Sequence, residues 1–239
     1  MSSVYNDLKI KTEIQNRLKA AVNYNQWLWD SFESFVGRRV LEVGCSIGNF
    51  TEKLVERCDG VLALDVIPEY AESVRQQFGS RPGFEAFCLN VCDRKFLEVI
   101  QGRPVDTVLC QNVLEHIEDD RLALRHMRQS LTPGGHLILL VPAFKAIYGT
   151  MDKADDHFRR YDKSMARTRL EEIGFKIKRM HYMNMPGFFG WFFNGRILKR
   201  EVLPANQLAT FDKIVPLVAG LEKLIRPPFG QSLLVIAER

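Results

Sequence analysis

Short apolar segments alternate with longer amphipathic segments over residues 40–142. The apolar segments are typical of buried parallel strands, which read as continuous hydrophobic runs. The segments between them have the length and periodicity of helices. This alternation predicts a parallel, doubly wound α/β sheet. The predicted strands are 40–43, 61–64, 84–89, 105–110 and 137–141, and the predicted helices are 48–58, 68–78, 94–101 and 118–131.

The flanking segments have a different character. Residues 8–35 predict one or two helices, and a turn at Pro133-Gly134-Gly135 precedes the fifth strand. A helix over 163–173 is expected to end at Gly174. Further strands are expected at 175–182 and 233–237, and the proline- and aromatic-rich residues between them predict a helical insertion that caps the site.

We therefore expect a single domain over residues 1–239. Residues 1–37 form a helical lid, 38–142 the binding core and 143–239 a substrate-facing half, within which about 183–231 is the cap insertion.

Composition narrows the class of protein. Of 239 residues, 46% are hydrophobic and 26% charged, which predicts an ordinary globular chain. The net charge of +4 does not by itself indicate a nucleic-acid partner. Five cysteines without a CxxC pair favour buried thiols in a reducing compartment over disulfides or zinc. With no apolar run of 18 residues and no leader-like segment, we expect a cytoplasmic protein without a spanning helix.

A glycine turn follows the first predicted strand, where residues 40–50 read VLEVGCSIGNF. Glycine lets a backbone approach a ligand, and a helix N-terminus offers unpaired N–H donors. The dinucleotide fingerprint GxGxxG fails, because only Gly44 fits while Ser46 and Asn49 occupy the later glycine positions. The motif therefore favours a ligand without phosphates.

Polar side chains also end the next strands. Asp65 follows the second strand, where a carboxylate can accept both hydroxyls of a ribose; its alternative role is a helix N-cap. Asn90 offers a donor and an acceptor to an adenine edge or an amide. Gln111 and Asn112 follow the fourth strand and are expected at the same crevice.

Five segments in this order resemble the class I S-adenosylmethionine-dependent methyltransferases. They are LEVGCSIGNF, ALDV, LNVCD, QNVLEHIED and LTPGGHLILLVP, and together they cover about residues 38–142. The resemblance implies a Rossmann-like, seven-stranded, mostly parallel sheet with helices on both faces. Strands 175–182 and 233–237 would form its antiparallel hairpin, with the helical insertion before the last strand.

The resemblance also implies that S-adenosylmethionine is the cofactor and S-adenosylhomocysteine its product. It further implies which residues bind the cofactor. Asp65 would bind the ribose, Asn90 and Val91 the adenine, and Gln111 would lie beside the sulfonium. Two positions depart from the family pattern, because Ser46 replaces a common glycine and Asn90 a common aspartate. The residues implied to line the methionine portion are Glu42, Gly44, Cys45, Ser46 and Gly48.

The segment 148–161 supplies candidate acceptor-side residues. His157 has a pKa suited to general-base work near neutrality, and Arg159 and Arg160 are suited to an anionic substrate group. Tyr148 and Tyr161 complete the predicted substrate contacts. The alternative is a solvated loop with internal ion pairs.

His116 is the rival base. Its Glu115-His116 pair is similar to one that some RNA methyltransferases use to bind a divalent metal, but that arrangement needs a glutamate where this chain has Asn112. We therefore expect no metal site. The alternative role of His116 is to orient the loop after the fourth strand.

Two aromatic features remain open. Tyr24 is suited to cover the sulfonium as part of the lid, because aromatic faces attract cations, or else to pack in the core. Residues 188–193, FFGWFF, are followed by Arg196, Lys199 and Arg200. They suit peripheral membrane contact or a lipid-like substrate, but equally the core of the cap or a dimer surface.

The leading hypothesis is methyl transfer to a small molecule, hydrophobic or anionic, by in-line displacement. Oxygen is the expected acceptor atom, ahead of nitrogen and carbon, by family frequency. A nucleic-acid or protein methyltransferase is the second hypothesis, although no concentrated basic region supports it. An inactive cofactor-binding scaffold is the third. The oligomeric state is not predicted.

Overall fold

The computed structural model describes the backbone of residues 2–239, and the side chains of Leu8 and of residues 11–239. Its strands are β1 Arg39–Val43, β2 Gly60–Asp65, β3 Phe84–Cys88, β4 Val105–Gln111, β5 Leu131–Pro142, β6 Lys176–Met183 and β7 Ser232–Glu238. Its helices are α1 Ser2–Ala20, α2 Val22–Phe32, α3 Thr51–Arg57, α4 Pro68–Phe78, α5 Arg94–Ile100, α6 Asp120–Ser130, α7 Thr150–Ala154, α8 Lys163–Ile173, α9 Met185–Phe192 and α10 Ala205–Leu224.

The strands form one sheet in the order β3-β2-β1-β4-β5-β7-β6. The first five strands are parallel, and β7 runs antiparallel between β5 and β6. The order reverses between β2-β1 and β4, which places a ligand crevice at the carboxyl ends of these strands. The predicted seven-stranded, mostly parallel sheet with a terminal antiparallel hairpin is confirmed.

Helices cover both faces of the sheet. One core cluster packs α5, α6 and α8 against side chains such as Leu41 and Val43 of β1. The other packs α2, α3 and α4 against Val40 on the opposite face of the same strand. The alternation of side chains along β1 therefore feeds two cores, as expected for a doubly wound sheet.

Local signals in the sequence set several helix ends. Asp119 and Asp162 accept hydrogen bonds from backbone N–H groups in the first turns of α6 and α8. Helix α8 ends at Gly174, whose φ of 93° is left-handed, as predicted. The N-terminal helical region divides into two helices at Ala21.

The predicted turn at residues 133–135 lies inside β5. Leu131 already pairs with Val105, and the register then shifts so that His136 pairs with Thr107. Gly134, with a φ of 79°, accommodates this irregularity without leaving the sheet. The strand therefore begins six residues before the predicted start at residue 137.

Residues between β6 and β7 form α9, a five-residue π-helical segment at 193–197, and α10. This is the helical insertion expected before the last strand; its role as a cap stays a prediction. Among the described residues, no helix combines the length and hydropathy needed to cross a bilayer.

Candidate active site

The loop after β1 is held against β2. Backbone N–H groups of Gly44 and Cys45 donate to the Leu64 carbonyl at 2.8 and 2.9 Å. Gly44 has a φ of 81°, and a Cβ there would lie 2.2 Å from a methyl group of Val113. Glycine is thus required by both conformation and space, and the loop passes directly beside the segment that follows β4.

Asp65 connects this loop to the end of β2. Its carboxylate accepts from the Ser46 N–H at 2.8 Å and from the Ile67 N–H at 2.9 Å. The side chain is buried, and this burial raises the pKa of Asp65. Asp65 is not the N-cap of α4, because that position belongs to Ile67. The alternative role considered from the sequence is therefore not adopted.

Glu42 lies beneath the loop in a buried position. Its carboxyl accepts a hydrogen bond from the Thr51 hydroxyl at 2.6 Å. Burial raises the pKa of Glu42 to about 8, with a further contribution from the negative charge of Asp65. Two acidic side chains therefore face the loop that begins at Gly44 and ends at α3.

Two buried polar atoms along the crevice have no hydrogen-bond partner in the described part of the chain: the Ser46 hydroxyl oxygen and the Gln111 side-chain carbonyl oxygen. Buried polar groups are normally paired, so such atoms suit a polar ligand. Cys45 is buried in the same loop, and Gly48 has a left-handed φ of 84°.

The predicted adenine contacts lie after β3. Val91 is buried, whereas Asn90 is exposed and its side-chain oxygen accepts from the Cys92 N–H at 2.9 Å. Asn90 thus shapes its own turn through its side-chain oxygen.

Helices α1 and α2 reach across this end of the sheet. Thr12 on α1 contacts the Tyr70 hydroxyl of α4 at 3.2 Å, and Lys11 pairs with Asp156, beyond α7, at 3.1 Å. The Asn25 side chain of α2 accepts from Asn49 in the glycine loop at 3.0 Å. These contacts join the β2 side of the crevice to the β5 side, which is the arrangement a lid requires.

Tyr24 of α2 packs against the insertion. Its ring packs edge-on against Phe211 of α10 with centroids 6.1 Å apart, and its N–H donates to Asp212 at 2.8 Å. Burial raises the pKa of its hydroxyl, which contacts Asn184 and Ser232. Its predicted contact with a bound sulfonium stays a prediction.

The two candidate histidines are neighbours. The ring centroids of His116 and His157 are 4.6 Å apart, and the rings meet edge to face. Burial lowers the pKa of His116. Burial also acts to lower the pKa of His157, but hydrogen bonds to Asp152 and Asp155 outweigh it and raise that pKa to about 9. At neutral pH only His116 has a free basic nitrogen.

Asp152 organises the segment after β5, which sequence reasoning missed. Its buried carboxylate accepts from His157 Nδ1 at 3.0 Å, Arg160 Nε at 2.6 Å and Trp191 Nε1 at 3.0 Å. Burial acts to raise the pKa of Asp152, but these donors lower it to about 2. The indole connects the insertion to this network, and no local pattern marks Asp152 for the role.

The other predicted substrate residues have internal partners. Arg160 is buried and also donates to the Ala143 carbonyl at 2.9 Å. The Tyr161 hydroxyl donates to Asp120 at 2.8 Å, and Arg159 donates to the Glu118 carbonyl at 2.8 Å. The Tyr148 hydroxyl donates to the His157 carbonyl at 2.7 Å. This geometry favours the alternative of internal pairing over direct substrate contact.

Glu115, His116 and His157 bring one potential metal-ligand atom each within 4.8 Å of one another. The local sequence pattern pointed to position 112 for the third ligand, whereas the fold brings in His157 from a distant segment. However, both nitrogens of His157 face carboxylates, Asp152 at 3.0 Å and Asp155 at 3.2 Å. A proton on each nitrogen satisfies that geometry, whereas a metal ligand needs a lone pair. The expectation of no metal stays a prediction.

Comparisons with known proteins agree with this geometry. Residues 41–137 match the family model described as a methyltransferase domain. Nodulation protein S of Rhizobium tropici is 31% identical over 101 residues, which are 41% of this chain and 40% of that protein. A ubiquinone biosynthesis O-methyltransferase of Xylella fastidiosa is 31% identical over 107 residues, 44% of this chain and 42% of that protein. The match thus spans about two fifths of the length of these relatives.

The likeness in fold extends further than the likeness in sequence. The crystal structure of the N-methyltransferase NodS from Bradyrhizobium japonicum, in complex with S-adenosylhomocysteine, has a TM-score of 0.57 and 18% identity. The alignment covers 90% of this chain and 84% of that one. The resemblance to class I S-adenosylmethionine-dependent methyltransferases that the sequence indicated is confirmed. The chain therefore has the class I methyltransferase fold, and its residues 41–137 match the methyltransferase-domain family.

Proposed function

We propose that this chain transfers the methyl group of S-adenosylmethionine to an oxygen atom of a small molecule. The observation that carries the proposal is the meeting of the Gly44 loop, the buried Asp65 carboxylate and the unpartnered Gln111 oxygen at one end of a class I sheet. Nodulation protein S and the ubiquinone biosynthesis O-methyltransferase, which match the same core, support a methyltransferase acting on small molecules.

The residues present suit this cofactor. The Asp65 carboxylate stands where the ribose hydroxyls would be accepted, at the end of β2. The Ser46 hydroxyl and the Gln111 oxygen are buried without partners and suit the polar methionine portion. The absence of a Cβ at Gly44 leaves the backbone close to the crevice, while Val91 offers the adenine an apolar contact.

When bound, the cofactor supplies an electrophilic methyl group on a sulfonium. The chain then has to align an acceptor with that methyl and exclude water, and such alignment contributes about 7–11 kcal/mol to lowering a barrier. Helices α1 and α2, fixed through Thr12–Tyr70 and Asn25–Asn49, are placed to cover the crevice.

His116 is the group best suited to take a proton from a hydroxyl acceptor. Its lowered pKa leaves it neutral at neutral pH, and general-base catalysis requires the neutral form. His157, with a pKa of about 9, is an imidazolium there and positions the loop through Asp152. We therefore assign the base role to His116 and a positioning role to His157.

A cleft of about 460 Å³ opens beside this pair, between α1, α7 and the insertion. Its charged lining residues are Lys11, Lys153, Asp155 and Glu201, and its aliphatic ones include Ile14 and Val202. Charged side chains of both signs and aliphatic side chains in one cleft suit an acceptor that is both polar and partly apolar. This supports a small-molecule acceptor rather than a polymer.

Turnover tests the proposal. The protein is incubated with S-adenosylmethionine carrying a tritiated methyl group and a panel of hydroxylated aromatic and aliphatic acids. We expect methyl ethers or esters from at least one member. His116→Gln should then lower kcat by about 10²- to 10⁴-fold and leave the KM for S-adenosylmethionine unchanged.

The matched control is His136→Gln, since His136 lies early in β5, far from the carboxyl ends of the strands. EDTA is expected to leave turnover unchanged, because no step needs a metal. Full turnover by His116→Gln would remove the base role, and methyl transfer only to amines would replace oxygen with nitrogen as the acceptor atom.

A further inference from the structure

The insertion between β6 and β7 exposes an unusual amount of apolar surface. Fifteen large hydrophobic side chains are exposed in the described part of the chain, and twelve of them lie within residues 185–225. They are Met185, Phe189, Phe192, Phe193, Ile197, Leu198, Val202, Ile214, Leu217, Leu221, Leu224 and Ile225. Val202 also lines the cleft described above, so we call the other eleven residues the outer apolar face. Concentrated exposed apolar surface marks an interaction site rather than ordinary scatter.

Helix α10 carries the regular part of this face. Its inward side packs through Val215 and Val218, which are buried. Its outward side carries apolar residues at 214, 217, 221 and 224, so that steps of three, four and three residues make one continuous stripe. Leu217 is 68% exposed and Leu224 is 83% exposed. Helix α10 therefore has two apolar sides, of which one packs against the rest of the chain and the other is exposed to solvent.

The two parts of the outer apolar face are fixed to each other. Glu222 near the end of α10 accepts from the N–H groups of Asn184 and Met185, at 3.0 and 2.8 Å. Asn194 donates to Gln207 near the start of α10 at 2.9 Å. The segments 185–197 and 205–224 thus lie side by side in opposite directions.

The exposed charges around this face are mostly positive. Five exposed cations border the apolar residues, and none has a carboxylate partner among the described residues: Arg196, Lys199, Lys213, Lys223 and Arg226. Two of the three acids within 185–226 accept hydrogen bonds from backbone N–H groups, Asp212 from Tyr24 and Glu222 from Asn184. Glu201 alone is exposed.

These charges discriminate between possible occupants. A two-fold dimer places the same patch against itself, so it would bring these cations together with few acids to offset them. An anionic bilayer instead attracts each cation by about 1 kcal/mol near its surface, while its acyl region accepts the apolar side chains. The pattern of apolar stripe and bordering cations therefore favours a lipid surface over a second copy of the chain.

We propose that residues 185–226 form a docking surface for an anionic lipid bilayer, on which the outer apolar face lies parallel to the membrane without crossing it. This proposal goes beyond methyl transfer and does not depend on it. The Phe188–Phe193 segment, for which the sequence left membrane, core and dimer open, contributes Phe189, Phe192 and Phe193 to the surface.

Vesicle flotation of the full chain tests this. The vesicles are phosphatidylcholine alone, or phosphatidylcholine with 30 mol% phosphatidylglycerol, a fraction of about one third chosen to give an anionic surface. We expect binding to the anionic vesicles that weakens as salt is raised. Leu217→Ser/Leu221→Ser should lower the partition coefficient by about tenfold or more. Lys213→Glu/Lys223→Glu should abolish the preference for anionic vesicles.

The substituted side chains are exposed in the parent chain, so replacing them is not expected to impair folding. The matched control is Val22→Ser, whose side chain is exposed to the same degree as that of Leu217, 68%, but lies outside the insertion. It should bind like the parent chain, and all variants should keep its melting temperature. Binding of S-adenosylhomocysteine should be equal in all of them, so failure here is distinguishable from failure of the methyl-transfer proposal.

Three results would overturn the docking proposal. The first is the absence of flotation with either vesicle. The second is equal flotation of the parent chain and Leu217→Ser/Leu221→Ser. The third is a concentration-dependent dimer in sedimentation velocity that the same double substitution dissolves, without vesicle binding, which would assign the face to self-association.

Discussion

His116 and His157 lie with their ring centroids 4.6 Å apart, yet their surroundings act on them in opposite directions. Burial lowers the pKa of His116, whereas two carboxylate partners hold the proton on His157. The charge state of each side chain is thus set by its partners rather than by its residue type. This difference is the basis for proposing His116 as the proton acceptor and His157 as a residue that positions the loop.

His157 gives a stability effect with a defined pH window. Its pKa of about 9 in the folded chain lies above the ordinary 6.5, so the stabilisation is complete below pH 6.5 and is lost as pH rises through 9. The free energy of unfolding of the parent chain should therefore approach that of His157→Gln over this range. Urea unfolding at half-unit pH steps measures the difference.

The quantity to follow with pH is the difference in the free energy of unfolding between the parent chain and His157→Gln. The raised pKa of Glu42, about 8, also makes the folded state less stable as pH rises from 4.5 to 8. Because Glu42 is present in both proteins, its effect cancels. A constant difference between parent and His157→Gln from pH 6 to 9.5 would contradict the assignment of His157 as an imidazolium.

The β1–α3 loop depends on glycine at the level of an element. Gly44→Ala meets two obstacles, a left-handed φ of 81° and a Cβ 2.2 Å from Val113. We expect it to lower the free energy of unfolding by more than the roughly 1–2 kcal/mol that the φ alone costs. It should also weaken S-adenosylhomocysteine binding, measured by calorimetry alongside thermal unfolding.

Gly102→Ala is the matched control. Its φ of 79° is nearly the same, but no atom lies within 4 Å of the added Cβ. It should show the conformational cost without the steric one and bind S-adenosylhomocysteine normally. Equal costs at both positions would mean that the loop moves away from Val113 freely.

The hydrogen bond from Trp191 to Asp152 is expected to hold α9 onto the segment after β5. Trp191→Phe keeps a ring near Arg160 but removes this donor, which should cost about 1–3 kcal/mol because the acceptor is charged. Relative to the parent chain, amide hydrogen exchange should accelerate more in α9 and α7 than in the rest of the chain.

Trp27→Phe controls for the loss of ring size, since Trp27 makes an edge contact with Tyr24 outside this network. It should leave exchange in α7 unchanged. If Trp191→Phe leaves exchange in α9 unchanged as well, the indole does not hold the insertion in place.

A feature could be predicted from the sequence when it depends on neighbouring residues, and could not when it depends on contacts between residues far apart in the sequence. The strands, and the positions of Gly44 and Asp65 at their ends, follow from patterns of a few residues, and the structure confirms their locations. The partners of Asp152 do not, because Trp191 is 39 residues away and only folding brings them together. The exposed stripe of α10 was missed for a related reason: its residues resemble a core face until the packed side is known.

Across the molecule, the carboxyl ends of the parallel strands bring together residues that are far apart in the sequence. Asp65, Gln111 and the segment after β5 all lie at that end of the sheet because the first five strands are parallel. The outer apolar face belongs instead to the insertion before β7, with its own stripe and its own charges. The fold therefore separates a candidate chemical site from a candidate membrane surface, and each can be tested without the other.

Calorimetric titration of the parent chain and of Asp65→Ala with S-adenosylhomocysteine tests the central claim most directly. We predict micromolar binding to the parent chain and a loss of at least about tenfold in Asp65→Ala, since a charged hydrogen-bond acceptor contributes roughly 1.5–3 kcal/mol. Asp59→Ala, whose carboxylate pairs with Arg38 on the surface, should bind like the parent. The absence of binding to a folded parent chain, or equal affinity in Asp65→Ala, would contradict the account.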